Sequence, residues 1–452
     1  MSTVPKPSYV SWGRSKLPGR CLPTWRVSNR CEPSLACQRS LAKTQGVTAP
    51  PDDLLAPEAV ADPHSFFHRL RAHAPVQWSA RHRAWIVTSH AEVRAALRDG
   101  SLSTARMDAF AARLTPARRE ALAPALDLLR GWMLFNDPPA HDRMRAPVAR
   151  AFTPRRVERL RGAIEDVVAE RLDALARDGG GDFVANFAHP LPAIVIADLF
   201  GVPRADREKL VGWSAKFGVV VFGATDRPDY ERVAREAGLE FRDFVAWLVA
   251  QRKAVGEYGD DLLGALLATC GTEDGLREDE LAGACSLLLF AGHDTTASLL
   301  GSAVNALLRD DAACTSMPRE PDDPRAAVAI EELLRFEGPA KIMMRRAVHA
   351  HDRGGQAIQP GQQLFLAISA ADRDPEVFAR SDALDLSRAP NSHVAFGEGI
   401  HFCLGAPLAR LEARIALTRL FARFPGLALA RDDVTWRATI SDRSLVALPV
   451  TC

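Results

Sequence analysis

The sequence predicts a mainly α protein with a minor β part, built as a single large domain. Three observations carry that prediction. Apolar residues recur at helical spacing in most stretches after about Pro50. Extended apolar runs are few and short, the clearest being Ala84–Ser89 and Gln356–Ile368. No internal repeat or composition break divides residues 46–452. A chain of 452 residues could hold two or three domains, but large single-domain enzymes also reach this length, and it buries a substantial core without staples.

In chain order, residues 1–45 stand apart. They carry eight basic residues and one acid, Glu32, with no sustained period, and are expected to form a disordered basic tail. They contain no apolar core of a secretory signal. Phe66–Ala74 reads as a short amphipathic helix, Ala84–Ser89 as a strand and Ala91–Arg98 as the helix after it. Helical spacing returns at Arg143–Phe152, Pro154–Arg177, Pro192–Phe200 and Asp229–Lys253. Gly179, Gly180 and Gly181 with Asp182 read as a flexible turn; without a GKS or GKT ending they are no phosphate loop. Glu278–Leu308 reads as one helix of about 30 residues, roughly 45 Å long. Gln356–Ile368, with the Pro360-Gly361 turn, reads as a small β element, and Ala406–Phe424 as a helix with Pro407 in its first turn.

Composition excludes several classes. There are 57 Lys plus Arg and 56 Asp plus Glu, a net charge of +1, so the strong basic excess of a nucleic-acid binder is missing. Removing the tail leaves 49 basic and 55 acidic residues, a net of −6. No apolar run approaches the roughly 18 residues of a membrane span. Eight cysteines without a CxxC pair argue against a disulfide scaffold or structural zinc, and for a reduced, cytoplasmic protein without a membrane anchor.

The chemistry concentrates in Phe396-Gly397-Glu398-Gly399-Ile400-His401-Phe402-Cys403-Leu404-Gly405-Ala406-Pro407. A glycine-rich loop runs straight into a helix, so Cys403 lies near unpaired N–H groups that stabilise a thiolate. Gly397, Gly399 and Gly405 leave room for a flat group to approach the backbone. A second unusual stretch, Ala291-Gly292-His293-Asp294-Thr295-Thr296, interrupts the apolar run Leu287–Leu300. The Thr295 hydroxyl can bond back to the Ala291 carbonyl, and Asp294 is costly in a buried stretch unless paired or functional.

The first stretch matches FxxGxHxCxG and resembles the haem-binding loop of the cytochrome P-450 family; the likeness extends from about Leu54 to Val450. It implies the cytochrome P-450 fold, one domain over 46–452 enclosing haem b, with Cys403 as the iron's proximal thiolate and Gly405 and Phe396 beside it. Such a ligand favours O–O cleavage. The resemblance makes Thr295 a hydrogen-bonding partner of dioxygen and Asp294 a proton relay, and leaves His293 in the motif's variable position. Asp137-Pro138-Pro139-Ala140-His141 with Arg145 resembles the family's DPPxHxxxR, and Arg345 stands at its RxA position. With His401, these imply four donors to the anionic haem propionates: His141, Arg145, Arg345 and His401. His393 is expected to brace the cysteine loop.

Glu332 and Arg335 fit the family's ExxR, three apart and facing each other on a helix as a structural pair. Ala383 occupies the usual place of the second arginine, which leaves Arg388 as the nearest candidate. Glu398 stands where many bacterial relatives carry His, on the thiolate side. The resemblance puts pocket walls at Phe217, Val219, Phe222, Leu288, Ala291, Ile342, Met343 and Leu445, suggesting a small, mostly apolar organic substrate. It further implies a monomer that hydroxylates or epoxidises that substrate with dioxygen, fed by a separate ferredoxin or flavodoxin and its NAD(P)H reductase. Arg143, Arg150, Arg155, Arg410 and Arg414 are expected to form the basic docking patch. The alternatives are a haem-binding sensor or substrate-recruiting protein without oxygenase turnover, and a peroxide-driven enzyme. Both have less need of Asp294 and Thr295.

Overall fold

Helix starts follow from a capping side chain set before a proline. Thr115, Thr153 and Asp323 each accept a first-turn N–H and precede Pro116, Pro154 and Pro324. Proline's missing N–H is harmless there, because first-turn donors have no helical partner. In the computed structural model, the described residues are 50–452, apart from parts of 204–228 and 256–260 and residue 274. The basic tail lies outside them, as do Val219 and Phe222.

The helices that position the site are α1 (His90–Arg98), α2 (Pro116–Arg130), α3 (Ala140–Ala151), α4 (Pro190–Leu199), α5 (Tyr230–Val255), α6 (Glu278–Leu308), α7 (Pro324–Glu337) and α8 (Ala406–Arg423). The predicted long helix Glu278–Leu308 is found over those bounds, and the other predicted helices lie within a few residues of theirs. One expectation splits: Pro154–Arg177 is two helices, Pro154–Glu158 and Arg161–Arg177. Pro116–Arg130 has no counterpart among the predicted elements, with Pro124 inside it obscuring the signal.

The strands are β1 (Val76–Ser79), β2 (Ala84–Val87), β3 (Leu102–Ser103), β4 (Gly180–Asp182), β5 (Ile342–Ala347), β6 (His351–Arg353), β7 (Gln356–Ile358), β8 (Gln363–Ala367), β9 (Ala428–Leu429) and β10 (Pro449–Thr451). The main sheet has the order β1-β2-β8-β5-β3. Within it β2 and β8 run parallel, pairing Trp85 with Leu364, while β5 and β8 run antiparallel, pairing Arg345 with Leu364.

The glycine run is a correction. Gly180–Asp182 is not a turn but a strand antiparallel to β10, pairing Gly181 with Val450. Gly180 and Gly181 hold φ of +124° and +126°, a region open to glycine, and a Cβ on Gly180 would lie 2.2 Å from the Val450 carbonyl oxygen. A run of glycines that looks like a hinge thus serves close strand approach.

The largest core cluster gathers α2, α4, α6 and α8 around residues such as Trp132, Phe187, Leu300, Leu333 and Leu417. At most positions α6 is buried all round, as its near-continuous apolar sequence requires. Gly292 lets α4 approach it; a Cβ there would meet Ile196 Cδ1 at 2.9 Å. The Glu332–Arg335 pair lies fully buried on α7 with N–O distances of 2.7 and 2.8 Å. Arg388 completes it, its Nε donating to both Glu332 oxygens at 3.1 and 3.0 Å. Asp385 N–H and Asn391 Nδ2 also donate to Glu332, while Arg335 donates to the carbonyls of Asp372, Ser381 and Ala383. Charge and hydrogen bonds are thereby satisfied where an unpaired charge would be untenable.

Candidate active site

The cysteine loop is shaped by two left-handed glycines, Gly397 (φ +69°) and Gly399 (φ +71°). Gly399 rests on the end of α1, where a Cβ would fall 2.8 Å from the Leu97 carbonyl oxygen. Cys403 N–H donates to Phe396 O at 3.0 Å, closing the loop just before α8 begins. Burial pushes the Cys403 thiol up, against the opposing pull of the Gly405 and Ala406 backbone N–H groups, Arg145 and Arg410. The amides expected at a helix start are therefore in place, but desolvation outweighs them. A bound metal cation reverses that balance by deprotonating its thiol ligand.

A charged brace stands behind the loop. His393 Nδ1 accepts the Ala395 N–H at 3.2 Å, so its Nε2 carries the proton that Glu331 accepts at 3.0 Å. Arg410 donates to both oxygens of Glu331 (2.6 and 2.7 Å) and covers the Phe396 ring at 4.5 Å. Although burial raises it, these partners hold the Glu331 carboxyl down at about 2. Glu398 is held by Arg94 (2.8 Å) and Arg98 of α1.

These pairings correct the expected basic patch. Arg143 is bound to the Glu280 carboxylate and Arg410 to Glu331, so two of its five arginines already have an internal anion. Arginines on a helix look alike in sequence whether they face solvent or a carboxylate from another element.

The four expected propionate donors converge. The rings of His141 and His401 stand edge to face, centroids 4.4 Å apart. Arg345 is buried and acts on His401, and Arg145 donates to the Phe402 carbonyl at 2.6 Å. Burial, then Arg345 and His141, push His401 down to about 3; burial also lowers Arg345 to about 10. Arg106, which sequence reasoning missed, faces Arg345, lies over the Phe135 ring at 4.3 Å and is likewise pushed down to about 10. Asp137, quoted only as part of a motif, secures the adjoining turn by accepting Ser103 Oγ (2.5 Å) and Thr104 N–H (2.9 Å). His141 Nε2 is buried and finds no partner among the described residues, while its Nδ1 faces Asp142 at 2.7 Å. An unpartnered ring nitrogen beside His401, on which Arg345 and Arg145 act, fits a site for an anionic group such as a propionate.

On α6 the Thr295 hydroxyl donates to Ala291 O at 2.8 Å, and Ser298 repeats the pattern to Asp294 O. The helix stays α-helical throughout, so this back-bonding does not break the ladder. Thr295 is the one exposed residue between Glu280 and Leu308, so a polar face opens inside an otherwise buried helix. Asp294 is buried. Burial drives its carboxyl up to about 6, opposed by Arg437, whose Nη1 lies 3.7 Å from Oδ1. Arg437 was also missed, because no sequence spacing connects it with α6.

The expected pocket walls do not share one cavity among the described residues. Phe217 packs with Trp132, Phe241 and Phe290 at centroid distances of 5.7, 6.0 and 6.1 Å and lines a small void with Ile196 and His293. Leu288 faces a small void with Gly131, Met133 and Met144. Ile342 is buried in the cluster containing Phe365, and Leu445 lies in the main core, within reach of Gly301. Met343 approaches Gly397 of the cysteine loop, and Ala291 sits one turn from Thr295. Large apolar residues serve a core and a pocket equally well, so sequence does not separate the two.

The family model for cytochrome P450 matches residues 324–435, which contain the ExxR pair and the cysteine loop. The chain is 35% identical over 399 residues to the polyketide biosynthesis cytochrome P450 PksS of Bacillus subtilis (strain 168), covering 86% of this chain and 95% of that one. It is 37% identical over 420 residues to the cytochrome P450 monooxygenase PikC of Streptomyces venezuelae, covering 90% and 96%. Among solved structures it is similar to P450BioI in complex with an acyl carrier protein ligated to hexadec-9Z-enoic acid. The TM-score is 0.80 at 33% identity, over 88% of this chain and 100% of that one. Matched along nearly the whole length of these relatives, and with residues suited to haem b, the chain belongs to the cytochrome P450 family and is an oxidoreductase of the monooxygenase type.

Proposed function

We propose that the protein is a haem-thiolate monooxygenase that hydroxylates or epoxidises a small, mostly apolar organic substrate. One atom of dioxygen enters the substrate and the other leaves as water, with two electrons and two protons consumed. The observation that carries this reading is the acid–alcohol pair on α6. Asp294 is a buried carboxyl drawn up to about 6, next to Thr295, the exposed residue within the buried stretch of that helix. A binding-only protein has no need of a carboxyl poised near neutral pH beside a hydroxyl.

When bound, the haem supplies the redox chemistry that activates dioxygen. Cys403 is its thiolate ligand, and Phe396, with Arg410 over its ring, shields the sulfur; Gly405 keeps the start of α8 close to it. Arg145 and Arg345 would neutralise the propionates, and His141 and His401 would hydrogen-bond to them. Asp294 takes a proton from the solvent side and returns it through the Thr295 hydroxyl. Electrons come singly from a separate ferredoxin or flavodoxin with its NAD(P)H reductase. The name of PksS, a polyketide biosynthesis cytochrome P450, supports a substrate from secondary metabolism, a polyketide or another apolar scaffold.

The test is spectroscopic. Reduced protein with carbon monoxide should give the red-shifted Soret band of thiolate ligation, and Cys403→Ser should lose it; a histidine-type band in the wild type overturns the reading. Thr295→Ala should keep the band yet divert electrons to peroxide. Full coupling in that variant removes Thr295 from the mechanism.

A further inference from the structure

Three side chains outside the expected site line up behind Asp294. His189 caps the start of α4, and its Nε2 lies 3.4 Å from Arg437 Nη2. Its Nδ1 lies 3.3 Å from Nε2 of His293, the residue in the variable position of the α6 motif. Arg437 turns its other terminal nitrogen, Nη1, toward Asp294 at 3.7 Å. The four residues come from three parts of the chain: α6, the start of α4 and the C-terminal loop. The loop is fixed by Arg437 N–H donating to Ser444 O (2.9 Å) and by the Trp436–Leu445 bridge.

Elementary chemistry sets the direction of this chain. A guanidinium has five donors and no lone pair, so it can only give to His189 Nε2. His189 must then carry its proton on Nδ1 and give it to His293 Nε2. Both imidazoles are neutral: burial, then His189 and Arg437, push His293 down to about 3, and burial with Arg437 pushes His189 down to about 4. The histidines thus hold the guanidinium without sharing its charge. Asp442 is the other charged group acting on Asp294, and it opposes Arg437; Asp182 acts on His189. The Arg437 side chain is 37% exposed and that of Asp294 10%, so the arginine spans from water to the buried carboxyl.

We infer that Arg437, held against the His189–His293 pair, is a positioning residue for Asp294 and marks the point where protons enter between α6 and the C-terminal loop. This inference rests on the relay reading of Asp294 given above. A 3.7 Å contact keeps the carboxyl oriented while leaving an oxygen available to water. Each cycle returns Asp294 to its starting form, because the proton it accepts from water is the one it passes to Thr295.

The haem-loaded protein allows a test without a substrate. The carboxyl stretch of Asp294, identified in the infrared by its loss in Asp294→Asn, is titrated against pH. An opposite charge this close lowers a carboxyl by about one unit or more, so Arg437→Gln should raise the midpoint by about that much, with Arg437→Lys closer to wild type. Oxidation of NADPH through a surrogate bacterial ferredoxin and reductase, without organic substrate, is measured alongside in water and deuterium oxide. Arg437→Gln should slow it roughly threefold at neutral pH and enlarge the solvent isotope effect, with its pH dependence displaced upward like the infrared midpoint. An unshifted midpoint in a variant with wild-type haem content and thiolate band overturns the inference. A wild-type isotope effect and wild-type NADPH oxidation rate in Asp294→Asn overturn the relay reading instead, whatever Arg437 does to the midpoint.

Discussion

His141 is the side chain whose surroundings ask most plainly for an absent partner. One ring nitrogen faces Asp142 and the other is buried and unmatched, beside His401 and the arginines Arg345 and Arg145 that act on it. A hydrogen bond to a charged group contributes about 1.5–3 kcal/mol, so His141→Phe should speed haem transfer to a scavenger protein by roughly tenfold or more. Its thiolate Soret band should stay as in the wild type; unchanged haem retention would remove His141 from the cofactor site. Residues of this kind were legible from sequence, because His141, Arg145, Arg345 and His401 stand in fixed motifs. Arg106 and Arg437 were not: each owes its place to a tertiary approach of segments far apart in the chain, which leaves no local spacing to read. Phe217 is ambiguous for another reason: it packs against Trp132 and also lines a small void with His293, and an aromatic ring in either place has the same sequence signature.

At the scale of elements, α6 was the easiest to read and β4 the hardest. Thirty-one residues at helical spacing, most of them apolar, leave few alternatives. Three consecutive glycines point to flexibility, and only the partner strand β10 explains them. Gly180→Ala would force a left-handed backbone on an L residue and drive its Cβ into the Val450 carbonyl. The expected loss is about 2 kcal/mol or more, seen as a lower urea midpoint, with β10 amides exchanging faster than those of the main sheet. Gly179→Ala, where a Cβ would meet nothing within 4 Å but φ is +65°, should cost less. Equal losses in the two variants would show that backbone strain and not the close strand approach governs this pair.

Across the whole molecule, buried acids divide into two sets with opposite pH behaviour. Burial raises Glu337, but His64, Arg443 and Arg373 hold it down to about 2, as Arg410 and His393 do for Glu331. A carboxyl depressed in the fold stabilises fully above its ordinary value, and that stability is lost as pH falls toward the folded one. The urea midpoint of the haem-loaded protein should therefore drop between about pH 4.5 and 2, and Glu337→Gln should flatten the drop. Burial drives Asp372 up to about 7 and Asp294 to about 6, so both erode stability as pH rises from about 4 toward 7. A midpoint that keeps rising through that interval would contradict the second set. The Glu332 network belongs to this scale too, because it ties α7 to the segment that leads into the cysteine loop. Its second arginine is Arg388, while Ala383, at the usual place, contributes only a backbone carbonyl. What the fold supplies here is a charge at a point in space. Read by motif position alone, the contact looks missing, whereas the folded chain makes it with a charge five letters later.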